Sequence, residues 1–151
     1  MSVLGYASYP NGRDRCGVHL LLERLESIVS TDHSNIHDIA LSITKKYGFN
    51  QCLPCSTALR QALIAAGRTG VVLKLKAKGA RLYVVMKDPD FKLPFNAPAE
   101  AAISETGLHY GVQVGEYVFD NIHRSGIVRS KWVDSFDCAG HAFEVSEIDP
   151  F

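Results

Sequence analysis

The spacing of apolar residues changes once along the chain, and this change constrains the fold more than any other feature. Up to Gly67, apolar residues recur every three or four positions, as on one face of an amphipathic helix. After Gly70 they alternate with polar residues, as in a strand with one buried face. Helices followed by an antiparallel sheet are typical of an α+β domain. A chain of 151 residues suits one such domain.

Three helices are predicted in the first part of the chain. The first lies within residues 18–29, the second begins at Ser34 or Asn35, and the third runs from about Pro54 to Ala66. Residues 1–14 have little periodicity and are interpreted as a loose segment or the end of a linker. The single domain is therefore expected over residues 15–151.

Two hairpins are predicted in the second part. The first joins Val71–Leu75 to residues 82–86 through a turn at Lys78-Gly79. The second joins His109–Val114 to Tyr117–Phe119 through Gly115-Glu116, a register that places Asp120 opposite Gly111.

The remaining segments of the second part are assigned more simply. Residues 88–107 form a mostly irregular loop, with a short helix possible over 100–104. A last strand is expected near Ala142–Val145.

Overall charge and hydropathy exclude some classes of function. Sixteen basic residues balance sixteen acidic ones, so no net field attracts nucleic acid to the whole molecule. A local basic patch of Arg124, Arg129 and Lys131 beside Trp132 leaves a nucleic-acid-binding or nuclease domain as an alternative. No apolar run is long enough to span a bilayer, and no membrane partner is expected.

Three residues have the chemistry of a nucleophile and its activating groups. Cys55 follows a predicted helix start, where backbone N–H groups favour the reactive thiolate. His109, at the opening of a strand, can take and return the thiol proton. Asp120 lies close to His109 across the hairpin and can hold the second ring nitrogen. We therefore expect a Cys-His-Asp triad.

The cysteine spacing leaves other interpretations open. Cys52 and Cys55 form a C-x-x-C pair, which could be half of a zinc site or a redox pair. No second pair of this kind is present, so no metal and no cofactor are expected. Cys52 is itself the alternative nucleophile, only three residues from Cys55.

Several short sequence motifs together resemble those of a known family. The segment Gln51-Cys52-Leu53-Pro54-Cys55-Ser56 is followed by HYGV at residue 109, VFDNIH at residue 118 and Trp132. In this order they resemble the papain-fold toxin domains of bacterial polymorphic toxins, over roughly residues 45–136. The resemblance implies a papain-like α+β fold, in which the nucleophile helix packs on an antiparallel sheet.

The resemblance also implies roles for individual residues. Cys55 matches the papain-type nucleophile, His109 the general base and Asp120 the orienting group. Gln51 is the candidate oxyanion-hole side chain, although it lies four residues before Cys55 where papain has its glutamine six before the nucleophile. Backbone N–H groups near Cys55 are the alternative donors.

As a function, the resemblance implies a cysteine peptidase, a protein-glutamine deamidase or an acyl transferase that forms the same thioester. It also implies a protein substrate in a target cell, a cognate immunity protein, and delivery as the C-terminal part of a larger secreted toxin that acts in the target-cell cytoplasm. The alternative is a non-catalytic papain-like module that sequesters its target. Rapid alkylation of the active thiol at neutral pH would separate the enzyme from the binding module.

Overall fold

The chain is described by a computed structural model that covers residues 35–79, 83–94 and 102–151. These residues belong to one compact unit, Asn35–Phe151. The predicted loose segment 1–14 and the predicted helix within 18–29 lie outside the described residues. The expected single domain over residues 15–151 stays a prediction.

Two helices open the described part of the chain. Helix α1 covers residues 35–44, as its apolar spacing predicts, and buries Ala40. Helix α2, Cys52–Ala65, ends before Gly67, whose φ of 69° is left-handed. At that end the Arg68 N–H donates to the carbonyl of Leu63, which satisfies an otherwise unpaired helix terminus. Both predicted helices are therefore confirmed.

The start of α2 differs from the prediction. The helix begins at Cys52, two residues before Pro54, and the Cys55 N–H already donates to the Gln51 carbonyl at 3.0 Å. Proline is tolerated in a first turn because the N–H that it lacks would have no partner inside the helix. Cys52 thus occupies the first helical position, while Cys55 lies one turn further in.

A five-stranded antiparallel sheet follows the helices. Its strands are β1 (Val71–Ala77), β3 (Leu108–Val114), β4 (Tyr117–Phe119), β5 (Ile127–Val128) and β7 (Phe143–Pro150). They lie in the order β5-β4-β3-β1-β7. Strand β7 is the strand predicted near Ala142–Val145, extended to Pro150. The α+β class with helices before an antiparallel sheet is confirmed.

The β3–β4 hairpin has the predicted register. Val112 pairs with Phe119 and Val114 with Tyr117 around the turn at Gly115-Glu116. Gly115 has a φ of 58°, which glycine adopts at no steric cost. This register carries Asp120 past the end of β4 toward the start of β3.

The first predicted hairpin is wrong. Strand β1 pairs with β3 on one side and β7 on the other. Strand β2 (Val85–Met86) pairs instead with β6 (Phe136–Asp137) in a separate two-stranded sheet. Val72 and Leu73 are both buried, so β1 has two covered faces and suits a sheet interior better than a local hairpin.

Two further segments depart from the sequence-based prediction. Instead of belonging to a short helix, Ser104 forms an isolated antiparallel bridge with Val84. Residues 129–134, for which the sequence predicts neither a helix nor a strand, form helix α3 (Arg129–Asp134).

The sheet separates two apolar clusters, because successive side chains of a strand face opposite sides. Val72 of β1 packs with Leu59 and Leu63 of α2. Leu73 and Leu75 belong to the other cluster, which includes Trp132. Along β3, Val112 belongs to the helix-covered cluster, which places His109 by alternation on the Trp132 side.

Candidate active site

His109 and Asp120 form a buried hydrogen-bonded pair. Nε2 of His109 lies 2.9 Å from Oδ2 of Asp120, and both side chains are fully buried. The hairpin produces this contact, because its register returns residue 120 beside the start of β3. The two residues that the sequence selected as base and orienting group are thus in direct contact.

Asp120 is satisfied as an ionised carboxylate. Its Oδ1 accepts from the backbone N–H groups of Ile122 and His123, and its Oδ2 accepts from Trp132 Nε1 at 2.6 Å as well as from His109. Burial raises the pKa of Asp120, but the nearby His123 and the bond from His109 outweigh it and hold the pKa well below its usual range. The carboxylate is therefore a fixed negative charge beside His109.

Trp132 covers this pair and contacts it through its indole nitrogen. Its side chain is completely buried, and its ring centre lies 5.9 Å from that of His109. A Cβ at Gly111 would come within 3.0 Å of the indole, so glycine leaves the space that Trp132 fills. Because the indole is buried, it is not available to stack on a base, as the nucleic-acid alternative would require.

Of the two cysteines in α2, Cys52 is the one that affects the pKa of His109. Burial lowers the pKa of His109, but Asp120 and then Cys52 outweigh burial and raise it to about 9. Asp120 occupies Nε2, and Nδ1 is buried and completes no hydrogen bond within the described residues. Cys52 is thus a neighbour of the His109 ring, and its thiol donates to the carbonyl of Leu108 at 3.8 Å.

Cys55 has a different environment. Its side chain is fully buried, and burial, Asp120 and Cys52 raise its pKa to about 12, although Arg124 opposes them. Such a thiol is held in its protonated, unreactive form at neutral pH. Cys138, the third described cysteine, is also buried and donates to the carbonyl of His141.

Cys52 also lines a surface cleft of about 500 Å³. One wall comes from Asn50, Leu53 and Pro54 at the start of α2, and the other from the segment between Ser104 and Leu108 together with Tyr110. The Glu105 N–H donates to Asn50 Oδ1 at 3.2 Å and joins the two walls. A substrate in this cleft would lie against the Cys52 thiol, whereas Cys55 does not line it.

The candidate oxyanion-hole residue Gln51 lies beside the cleft but does not line it. Its Oε1 accepts from the Gly48 N–H at 2.8 Å, and its side chain is exposed. Asn50 lines the cleft and has a left-handed φ of 54°. Nothing in the sequence except its place two residues before Cys52 singled Asn50 out.

The predicted basic patch is not a free cationic surface. Arg124 donates to the carbonyls of Asn121 and Tyr47, and Arg129 donates to Gln113 and to Glu147. These bonds anchor the arginines within the domain, while Lys131 is exposed.

Within the part of the chain that the structure describes, no three His, Cys, Asp or Glu side chains are grouped as metal ligands, and no helix is long and apolar enough to cross a membrane. Four residues could complete a zinc site with Cys52 and Cys55. Of these, Cys16 and His19 lie outside the described part, whereas Cys138 lies inside it and donates to the carbonyl of His141.

The raised pKa of His109 predicts a loss of stability at alkaline pH. His109 binds its proton more tightly in the folded protein, so this stability is fully present below the unfolded pKa of about 6.5 and is lost as pH rises through about 9. Between these values the free energy of unfolding should fall by up to about 3 kcal/mol. Urea denaturation of the wild type and of His109→Gln at pH 6 and pH 9.5 measures this. An equal difference between the two proteins at both pH values would contradict it.

Comparison with known proteins identifies the family of the chain. The family model described as papain fold toxin 2 matches residues 34–137, which include α2, the β3–β4 hairpin and Trp132. Searches of curated proteins and of solved structures found no significant match. Because the matched segment covers more than half of the chain and contains all the residues of the site, the protein belongs to the papain fold toxin 2 family.

Proposed function

We propose that this toxin domain is a cysteine-dependent acyl-transfer enzyme in which Cys52 is the nucleophile, His109 the general base and acid, and Asp120 the orienting group. The observation that carries the proposal is the buried His109–Asp120 hydrogen bond, which has Cys52 of the cleft as a neighbour of its imidazole. The sequence favoured Cys55 for the first role, and we transfer that role to Cys52.

Three features support Cys52 over Cys55. Cys52 acts on the His109 ring, it lines the cleft, and it occupies the first position of α2. An N–H at that position has no acceptor within the helix, so it remains available to a ligand. The Cys55 N–H, by contrast, is already bonded to Gln51.

The chemistry follows from these positions. The Cys52 thiolate attacks an amide carbonyl, a C–S bond forms, and the electron pair of the C=O moves onto oxygen. Protonated His109 gives its Nδ1 proton to the leaving nitrogen as the C–N bond breaks and a thioester remains. Water then attacks the thioester while Nδ1 takes a proton from it, the C–S bond breaks, and the acid is released with the Cys52 thiolate and protonated His109 restored. Asp120 keeps the imidazole in the required tautomer throughout.

The proposed substrate is a protein amide, either a main-chain peptide bond or a glutamine side chain. We further propose that the domain acts in the cytoplasm of a target cell after delivery as the C-terminal part of a larger secreted toxin. A cognate immunity protein would then be its second partner. Membership of a toxin family supports these proposals. The cleft that Cys52 lines is the surface that we propose such a protein covers.

Alkylation by iodoacetamide tests the proposed nucleophile without knowledge of the substrate. At pH 7 we expect Cys52 to react at least about tenfold faster than Cys55 or Cys138, because only Cys52 has a cationic imidazole beside it. Peptide mass spectrometry after short exposures identifies the labelled residue. His109→Gln is the control and should slow Cys52 to an ordinary thiol rate. Slow labelling of Cys52 in the wild type would instead favour the binding module.

The position of the side-chain oxyanion donor is a separate prediction. Asn50 lines the cleft with its Oδ1 held by Glu105, which leaves its amide N–H groups for a substrate oxygen. We expect Asn50→Gly, which keeps the left-handed backbone accessible, to lower the acylation rate by about 10²-fold. Gln51→Ala should lower it less than about threefold, since Gln51 lies outside the cleft.

The burst of p-nitrophenol from p-nitrophenyl acetate measures this acylation rate. Iodoacetamide alkylation, which forms no oxyanion, should proceed at the wild-type rate in both variants. If Gln51→Ala loses the burst and Asn50→Gly keeps it, the donor is Gln51, as the family resemblance implies.

A further inference from the structure

A second histidine contacts the carboxylate of the site. His123 Nδ1 lies 3.4 Å from Asp120 Oδ2, the same oxygen that accepts from His109. The backbone N–H of His123 donates to the other oxygen, Oδ1. His123 therefore contacts both oxygens of Asp120, one through its ring and one through its main chain.

Aromatic neighbours hold the His123 ring in this position. Its centre lies 5.8 Å from the ring of Phe91 and 5.5 Å from that of Phe136. Phe136 also packs against His109, with 4.8 Å between ring centres. With a side-chain exposure of only 7%, His123 has little freedom to turn away from Asp120.

The outer side of His123 faces a cavity that is separate from the Cys52 cleft. This cavity of about 310 Å³ is lined by His123 and Phe91 and by the charged side chains of Lys87, Asp88 and Asp134. It shares no lining residue with the cleft. Since Nδ1 points to Asp120, Nε2 is the ring nitrogen on the cavity side. His123 thus connects the carboxylate of the site to a second surface.

We propose that His123 is a positioning residue that acts on His109 through Asp120. Its Nδ1–H donates to Oδ2 and, together with its backbone N–H, fixes the plane of the carboxylate that orients His109. His123 favours the ionised state of Asp120, while the charged side chains of Lys87, Asp88 and Asp134 line the cavity on its outer side. The effect on Cys52 rests on the proposed function, whereas the effect on His109 does not.

The test uses His123→Phe, which fills the same space but donates no hydrogen bond, and His123→Asn, whose amide nitrogen can take the place of Nδ1. Without the His123 donor, the Asp120 carboxylate can turn out of the plane that holds His109, so its hydrogen bond to His109 weakens. We therefore expect His123→Phe to lower the pKa of His109 by about 0.5 or more, as measured by ¹⁵N NMR of the imidazole rings. Cys52 alkylation should slow about tenfold because the ring loses its orientation. His123→Asn should restore both values to near those of the wild type.

The outcomes test the positioning role of His123 separately from the proposed acyl-transfer function. Wild-type titration of His109 and wild-type alkylation in His123→Phe would overturn the positioning role. A shifted His109 titration together with slow alkylation of Cys52 in the wild-type protein would overturn the proposed function and leave the positioning role intact. If His123→Phe does not fold, as judged by near-UV circular dichroism, His123→Gln replaces it. Its amide reaches the position of Nε2 and not Nδ1, so behaviour identical to that of His123→Asn would overturn the proposal.

Discussion

Cys52→Ala is expected to lose activity by about 10⁴-fold or more, while Cys55→Ala stays within about threefold of the wild type. The reason is that Cys52 is a neighbour of His109 and lines the cleft, whereas Cys55 is fully buried and does not line the cleft. Growth of bacterial cells that express each variant, together with the p-nitrophenyl acetate burst, measures the two effects. The variants form a matched pair, because both remove one sulfur from α2.

Cys55→Ala is expected to lower stability although it keeps activity. Cys55→Ala leaves a small void in the buried interior and should lower the free energy of unfolding by about 1 kcal/mol, measured by urea denaturation. Loss of activity in Cys55→Ala, with full activity in Cys52→Ala, would return the nucleophile to Cys55.

Asp120→Asn is expected to damage both stability and activity. Every donor around the carboxylate points its N–H at one of the two oxygens, so an amide NH₂ in either orientation meets donors instead of acceptors. We expect the free energy of unfolding to fall by about 3–5 kcal/mol. Activity should fall by about 10⁴-fold, because His109 loses the tautomer that turns Nδ1 toward Cys52.

Urea denaturation and the acylation burst measure these two losses on the same protein. Asp38→Asn, an exposed position on α1, is the control and should change neither. An Asp120→Asn variant that folds with wild-type stability and acylates at the wild-type rate would contradict the orienting role.

The part of the site on the β3–β4 hairpin could be predicted from sequence. A glycine turn between two alternating runs determines a register, and that register alone brings Asp120 beside His109. This information is local, since only 11 residues separate the two partners. The same locality made both described helices predictable, because their apolar faces and end signals lie within single segments.

Features that depend on distant segments could not be predicted. The partners of β1 come from β3 and β7, and nothing within Val71–Ala77 specifies them. The bond from Trp132 to Asp120 requires helix α3 to place the indole in the space that Gly111 leaves on β3. These contacts arise from packing, so periodicity does not reveal them.

Which cysteine the sequence favours as nucleophile depends on where helix α2 is predicted to begin. Proline is most favoured at the first helical position, and this preference placed the predicted start of α2 at Pro54. The helix instead begins at Cys52 and holds Pro54 in its first turn. A shift of two residues thus places Cys52 at the first helical position and Cys55 one turn further in, although both side chains are buried.

The site of acyl transfer tests the central claim most directly. Wild-type protein mixed with p-nitrophenyl acetate, quenched in acid during the burst and digested, should carry the acetyl thioester on Cys52, with none on Cys55. The His109→Gln variant should carry no acetyl group after the same time. An acetyl group on Cys55, or a wild-type burst that leaves Cys52 unmodified, would contradict a triad of Cys52, His109 and Asp120.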